Sequence, residues 1–359
     1  MKIAVAGIGN AGTAIAAELK KQGHTVFLLK TSDKLHNEHY EYIKQTHTIS
    51  VNDLKRDYHV QIDVVTDSME EAIPKADLII LFVQTNYHER LIKRMAKYLH
   101  DGQTILIEPG YLSTCYILQN CKADLTIIEA ESSPIDCRIV KPGTVKVLFK
   151  NVMNPFGVYP NKRRAVAARV LSELEIPFML IDNVAEAALH NPNLIVHTIG
   201  AIFSIPRIEY SNGDYWMYKE VFTPHIWNVV ESLDEEKMDI LSKMGCKRLS
   251  YAEACKLRNS LDECKDAVEV FFDYANNSSP KGPEIPNSRY ITEDVPQGLV
   301  LLESLGEFYN IKTSTTTGLI NCACAALKKD FREEGRTVRA LGEEYLKKIL
   351  LDDRLEGRL

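Results

Sequence analysis

Two groups of residues in the second part of this 359-residue chain, and two in its first, are of types that could do chemistry. In His190-Asn191-Pro192-Asn193-Leu194-Ile195-Val196-His197, two histidines stand seven apart on what reads as one helix, which would put them on one face two turns apart. Imidazole is the side chain that moves protons near neutral pH. The run Arg289-Tyr290-Ile291-Thr292-Glu293-Asp294-Val295-Pro296 holds a guanidinium that can clamp a carboxylate and a carboxylate that can orient an imidazole. Glu131 follows a strand-like run in Ala130-Glu131-Ser132-Ser133-Pro134, at the strand end where parallel sheets carry their sites. Each residue also has a structural reading. His197 could be a core histidine, Asp294 a residue of a helix's first turn near Thr292, and Arg289 half of a surface ion pair. Glu131 and His190 fit a structural role better than a chemical one. His88, which opens a helix at a strand end, fits an exposed position as well as one near a ligand.

A hydride or phosphate chemistry needs a further part, and the amino terminus supplies it. Gly7-Ile8-Gly9-Asn10-Ala11-Gly12 is G-x-G-x-x-G, between a strand (Lys2–Ala6) and a helix (Ala11–Lys21). Gly7 permits the tight turn, Gly9 admits a pyrophosphate close to the backbone, and Gly12 lets helix and strand pack. The free N–H groups around Asn10 and Ala11 would then face the phosphates. The next strand ends in Lys30-Thr31-Ser32, where an acidic residue would mark NAD. A cation and hydroxyls suit a 2′-phosphate instead, so the expected cofactor is NADP, with NAD, served by Asp33, as the alternative.

The elements that must position these parts follow from hydrophobic periodicity. Short apolar runs alternate with helical patterns over the first half: Thr25–Leu29, Asp63–Val65, Asp77–Val83, Thr104–Ile107 and Leu125–Ala130 read as further strands. This alternation predicts a doubly wound parallel sheet with helices on both faces. A hairpin over Val140–Phe149, a helix at Lys162–Leu174 and a strand at Phe178–Ile181 close that part; the polar, His-rich stretch Thr31–His59 stays without an assignment beyond a short helix. Beyond Asn183 the pattern is helical: Glu186–Ile205, Asp214–Met244, Leu261–Tyr274, Leu299–Tyr309, Thr315–Lys329 and Thr337–Leu350. The expectation is an α/β plus all-α protein, with a Rossmann domain over 1–183 and a helical substrate and catalytic domain over 184–359. Tyr215, Trp216, Tyr218 and Trp227 would lie on one helix as core or pocket wall. Asn276–Pro296, with four prolines, reads as a long loop of the kind that carries function.

Composition narrows the class. Forty-three basic against forty-nine acidic residues give a net charge of −6, which argues against a nucleic-acid binder or a polybasic membrane patch. No apolar stretch is long enough to span a bilayer. Eight cysteines without a C-x-x-C pair suit neither a disulfide scaffold nor a metal site, so reduced thiols and a cytoplasmic location are expected. The glycines at 7, 9 and 12 make the start a part of the fold rather than a secretory leader. The long helices are compatible with a homodimer.

The glycine fingerprint, the Asn-Leu-Ile-Val-His segment ending at His197, and above all Arg289–Pro296 resemble the opine dehydrogenases, the group of octopine dehydrogenase and its carboxyalkyl-amino-acid relatives, over nearly the whole chain. That resemblance implies an NAD(P)H-dependent condensation of an amino acid's amine with a pyruvate-like α-keto acid through an imine, and the reverse reaction. It implies His197 as acid/base, Asp294 as its partner and Arg289 as an anchor for a substrate carboxylate. Glu131 is placed beside the substrates. The departure is Lys30, which is not acidic. Two rivals stand. Two-domain reductases for hydroxy acids, polyol phosphates or ketopantoate typically carry a lysine on the first helix of the helical domain, and Glu186–Ile205 has none. A non-catalytic NADP(H)-sensing protein would need no Arg/Asp/His set.

Overall fold

The computed structural model describes residues 1–356, so the last three positions of the expected second domain lie outside the described residues. The chain forms two compact units, Met1–Val184 and Ala185–Leu350, with the residues from Leu351 grouping with the first.

The first unit runs β1 (Lys2–Ala6), α1 (Asn10–Lys21), β2 (Thr25–Leu29), α2 (Asn37–Thr46), β3 (Thr48–Asn52), β4 (Tyr58–Gln61), β5 (Val64–Thr66), α3 (Met69–Ala72), β6 (Leu78–Leu81), α4 (His88–Met95), β7 (Thr104–Ile107), α5 (Thr114–Asn120), β8 (Thr126–Ala130), β9 (Ile135–Lys141), β10 (Thr144–Lys150), β11 (Asn154–Tyr159), α6 (Arg164–Glu173) and β12 (Phe178–Leu180). The central strands are aliphatic on both faces because both faces are covered: Ile3 to Ala6, Leu78 to Leu81 and Ile105 to Ile107 are all buried. The larger sheet has eight strands in the order β12-β11-β8-β7-β6-β1-β2-β5. From β1, the chain builds outward through β2 on one side and through β6 on the other. Strand order therefore reverses beside β1, where such sheets bind ligands at the carboxyl ends of their strands.

Two features differ from the sequence-based expectation. The sheet is mixed, because β11 runs antiparallel to β8. A second sheet, β4-β3-β10-β9, takes up the His-rich stretch that carried no assignment. Its hairpin β9–β10 turns at Gly143, whose φ of +71° suits glycine. Strands β3 and β4 are short and half polar, which is why periodicity alone does not separate them from loop.

The second unit is helical: α7 (Val184–Leu189, which begins at the last residue of the first unit), α8 (Asn193–Phe203), α9 (Ile205–Ser211), α10 (Met217–Glu220), α11 (Pro224–Met244), α12 (Tyr251–Asn259), α13 (Ala267–Asn277), α14 (Arg289–Thr292), α15 (Val300–Tyr309), α16 (Ser314–Leu327), α17 (Val338–Leu341) and α18 (Glu343–Glu356). Prolines divide what the pattern ran together. Pro192 separates α7 from α8, and Pro224 opens α11 at a first-turn position where its missing N–H costs nothing. His190 and His197 are thus not on one helix, and the four aromatic residues are not either. Tyr218 and Trp227 pack with Phe222, Phe271 and Phe272 in an aromatic core, with Trp227 and Phe271 centroids 5.0 Å apart, while Trp216 is partly exposed. The long loop ends at Ser288, where α14 begins.

Candidate active site

In the second unit, α8 carries His197 and the segment after α14 carries Asp294. Among the residues around His197, Leu194, Ile195, Val196, Thr198 and Ile199 are all buried, so burial of the helix on every side at this level fixes the imidazole's height and direction. A one-turn π-helical segment, Val295–Leu299, joins α14 to α15 and leaves Asp294 at its start without a capping bond from its side chain. The carboxylate turns instead to the histidine: His197 Nδ1 lies 2.8 Å from Asp294 Oδ2 across ninety-seven residues of sequence. Both side chains are buried, 8% and 3% exposed.

The electrostatics are set by that burial. Loss of water pushes the Asp294 carboxyl up to about 7, against an opposing pull from the Arg289 guanidinium. An ionised carboxylate at this position draws its counter-charge from the imidazole, so near neutral pH the pair readily takes up one further proton. With Nδ1 held by the carboxylate, the proton exchanged with a substrate is the one at Nε2.

Tyr290 stacks on the imidazole, with ring centroids 3.8 Å apart and planes inclined by 6°. Sequence reasoning gave it no role, although it lies next to Arg289 in the quoted run; only the turn of α14 shows which way its ring faces. Arg289 is half exposed, with Nε 3.7 Å from Oε2 of the buried Glu293 one helical turn on. Glu293 was likewise without a role, and i,i+4 spacing was the signal for it. His197, Asp294, Arg289 and Tyr290 thus form one cluster. His190 is elsewhere: it is buried at the end of α7, 3.7 Å from Glu186, and burial together with Lys237 and Arg258 holds it well below the usual histidine range.

In the first unit, the glycine turn has the geometry of an anion cradle. Gly7 has φ +124°, and a side chain there would begin 2.2 Å from the Phe82 carbonyl oxygen. One at Gly12 would begin 1.9 Å from the Gly7 oxygen. Both positions exclude a Cβ by backbone contact. No side chain caps α1. The first helical bond is from Thr13 N to Gly9 O, so the N–H groups before it point outward from the turn. Asn10 is committed by its side chain, whose Oδ1 accepts from Ile139 N at 2.8 Å and ties the turn to β9. Ala11 and Thr31 are both partly exposed. Lys30, at the end of β2, donates to the Ser32 carbonyl and lies 5.4 Å over the Tyr40 ring.

Glu131 is buried just past β8. Its neighbour Glu129, within β8, has a clear structural task, with Oε2 accepting from Leu112 N at 2.9 Å and Oε1 from Thr114 N at 2.6 Å. His88 is fully buried rather than exposed, with Nε2 2.8 Å from Val83 O and Nδ1 2.7 Å from Ser113 Oγ, so it ties the loops after β6 and β7 together.

Both parts of the chain match known families. Residues 180–327 match the family described as NAD/NADP octopine/nopaline dehydrogenase, alpha-helical domain. Residues 2–109 match that described as NAD-dependent glycerol-3-phosphate dehydrogenase N-terminus. The chain is 26% identical over 348 residues to an opine dehydrogenase of Arthrobacter sp. (strain 1C), covering 94% of each protein. Its fold is shared with octopine dehydrogenase solved with NADH and agmatine, at a TM-score of 0.78 and 18% identity over 98% of each chain. It is shared too with yersinopine dehydrogenase solved with NADP+, at a TM-score of 0.73 and 14% identity over 99% of each chain.

Proposed function

Because the chain belongs to the opine dehydrogenase family, we propose that it joins an amino acid's amine to a pyruvate-like α-keto acid with NAD(P)H, and runs the reverse reaction. The observation that carries the reading is the buried 2.8 Å contact between His197 Nδ1 and Asp294 Oδ2. Condensation consumes one proton in all, and the water that leaves as the carbinolamine becomes an imine needs a proton on its oxygen. His197 Nε2 donates it, Asp294 stabilises the charged imidazole, and Tyr290 keeps the ring in plane. Arg289 holds the keto acid's carboxylate, and Glu131 serves the substrate side of the first unit. The nicotinamide cofactor, when bound, supplies the hydride. The glycine turn, with no Cβ at Gly7, Gly9 or Gly12 and an uncapped α1, fits its pyrophosphate. On this reading the cofactor domain spans residues 1–183 and the substrate and catalytic domain follows from 184, within one residue of the boundary between the two compact units at Val184.

A screen of cofactor oxidation over an amino-acid by keto-acid matrix tests this. Oxidation is expected only where both substrates are present; oxidation with a keto acid alone would point to a hydroxy-acid reductase. The pH dependence has a defined sign. Asp294 sits near 7, so the pair loses its extra proton above that. The condensation rate should fall as pH rises through about 7, and the oxidative rate should rise over the same range. Asp294→Asn should move this inflection to lower pH in both profiles, because the charged imidazole loses its counter-ion.

Lys30 favours NADPH over NADH. Lys30→Asp should reverse the order of affinities, with NADPH weakened tenfold or more, the worth of about one charge-assisted contact plus the repulsion introduced. Titration of both cofactors against parent and variant checks it, and equal affinities in the parent would contradict it. Among the described residues, no helix is long and apolar enough to cross a membrane. A cytoplasmic location, supported by eight free cysteines, and a homodimer belong to the same proposal.

A further inference from the structure

The His-rich segment after β2 sits against the glycine turn, and no step above uses it. His36 immediately precedes α2, with φ 59° in the left-handed region. That backbone carries its imidazole back over the turn, where Nε2 lies 3.5 Å from the point at which a Gly9 side chain would begin. Gly9 is the position whose missing side chain admits a phosphate. Lys30 is the cation facing His36 from the end of β2. His39, one turn along α2, faces it from its own helix.

His39 is fully engaged and neutral. Its Nδ1 accepts from Gly143 N at 3.1 Å, so Nε2–H donates to Thr13 Oγ1 at 3.0 Å, and that hydroxyl donates to Ile8 O at 3.2 Å. Burial and His36 hold it at about 4. This chain of bonds pins α2 to the turn and so fixes where His36 stands.

We propose that His36 is a specificity residue for the adenosine end of the cofactor, taking up a proton as it closes with Lys30 on a 2′-phosphate. The inference rests on the NADP(H) reading of Lys30. Without ligand, partial burial and the Lys30 charge hold His36 below the usual histidine range, so it is neutral at physiological pH. A dianionic phosphate set between the two groups reverses the sign of the local field and favours the charged imidazole. Binding of NADPH then takes up a proton; binding of NADH does not. The pyrophosphate, common to both cofactors, is the other phosphate within reach of the turn, and comparing NADPH with NADH separates the two sources.

The test is direct binding of NADPH and of NADH from pH 5.5 to 8.5, to the parent, to His36→Asn and to His36→Arg. Asparagine tolerates the left-handed backbone and carries no charge; arginine keeps the charge at every pH. At pH 5.5 the parent should bind NADPH about tenfold more tightly than His36→Asn, the size of one charge-assisted hydrogen bond. By pH 8.5 the two should agree within about twofold, as the imidazole is then neutral. The phosphate's own ionisation near pH 6 acts on both proteins and cancels in the ratio. His36→Arg should retain tight NADPH binding at pH 8.5. NADH should bind all three alike, which also shows that they are folded. Calorimetry in buffers of different ionisation enthalpy should find more proton uptake with NADPH in the parent than in His36→Asn. The inference is overturned if His36→Asn tracks the parent for NADPH at every pH, or if it loses NADPH and NADH equally, which would make His36 a pyrophosphate contact. A parent that prefers NADH throughout overturns the NADP(H) reading and the inference with it.

Discussion

Replacing His197 by Gln, or Asp294 by Asn, should each lower the condensation rate by roughly a hundredfold or more, the usual share of general acid–base catalysis. The double variant should be no more than about threefold slower than His197→Gln alone, because groups that act as one unit do not contribute independently. The structure gives the reason. With Nδ1 held by a carboxylate at 2.8 Å, the imidazole has one orientation and its charged form has one counter-ion. Asparagine at 294 keeps the shape but can offer an N–H to Nδ1, which selects the wrong tautomer. If the two losses multiply to about ten-thousandfold in folded variants, against the non-additivity expected of a unit, the residues work separately. Cofactor affinity should stay within about threefold in all three, because the glycine turn that offers its N–H groups to the phosphates is untouched.

The second large effect belongs to Arg289. Arg289→Ala should lower kcat/KM for the keto acid by about 10- to 100-fold, the worth of a bidentate charge-assisted contact at a half-exposed site. The side chain is 51% exposed, so a substrate carboxylate can reach the guanidinium. Arg289→Lys should recover only a small part of the loss, since an ammonium cannot present the planar fork. Unchanged substrate kinetics in Arg289→Ala would reassign the residue to the ion pair alone. The same variant should titrate Asp294 upward, because the guanidinium now opposes the effect of burial there.

The parts legible in the sequence were those carried by one local rule. The glycine fingerprint has a fixed spacing because Gly7 and Gly12 exclude a Cβ by contact with nearby backbone. The aliphatic runs at β1, β6 and β7 could be read as buried strands because both of their faces are covered. His197, Asp294 and Arg289 were legible as types and as a resemblance, but their meeting depends on α8 and the turn after α14. No periodicity encodes a contact across ninety-seven residues. Periodicity runs helices together where proline sits inside an apolar pattern, at Pro192 and Pro224. A single helix across Pro192 would put His190 on the face of His197. The second sheet was missed because β3 and β4 are short and carry polar residues on one side. Tyr290 was hidden by its neighbours: a tyrosine beside two charged groups gives no sign of stacking until the turn of α14 is known.

The central claim is that a carbon–nitrogen bond is made and then reduced. The most direct measurement follows both atoms at once, with a 15N-labelled amino acid, an unlabelled keto acid and cofactor deuterated at the transferable position, the products being read by mass spectrometry. The account predicts a single product that contains the 15N, has lost the elements of water, and carries one deuterium on the former carbonyl carbon. Deuterium found instead in a 2-hydroxy acid without 15N would contradict it.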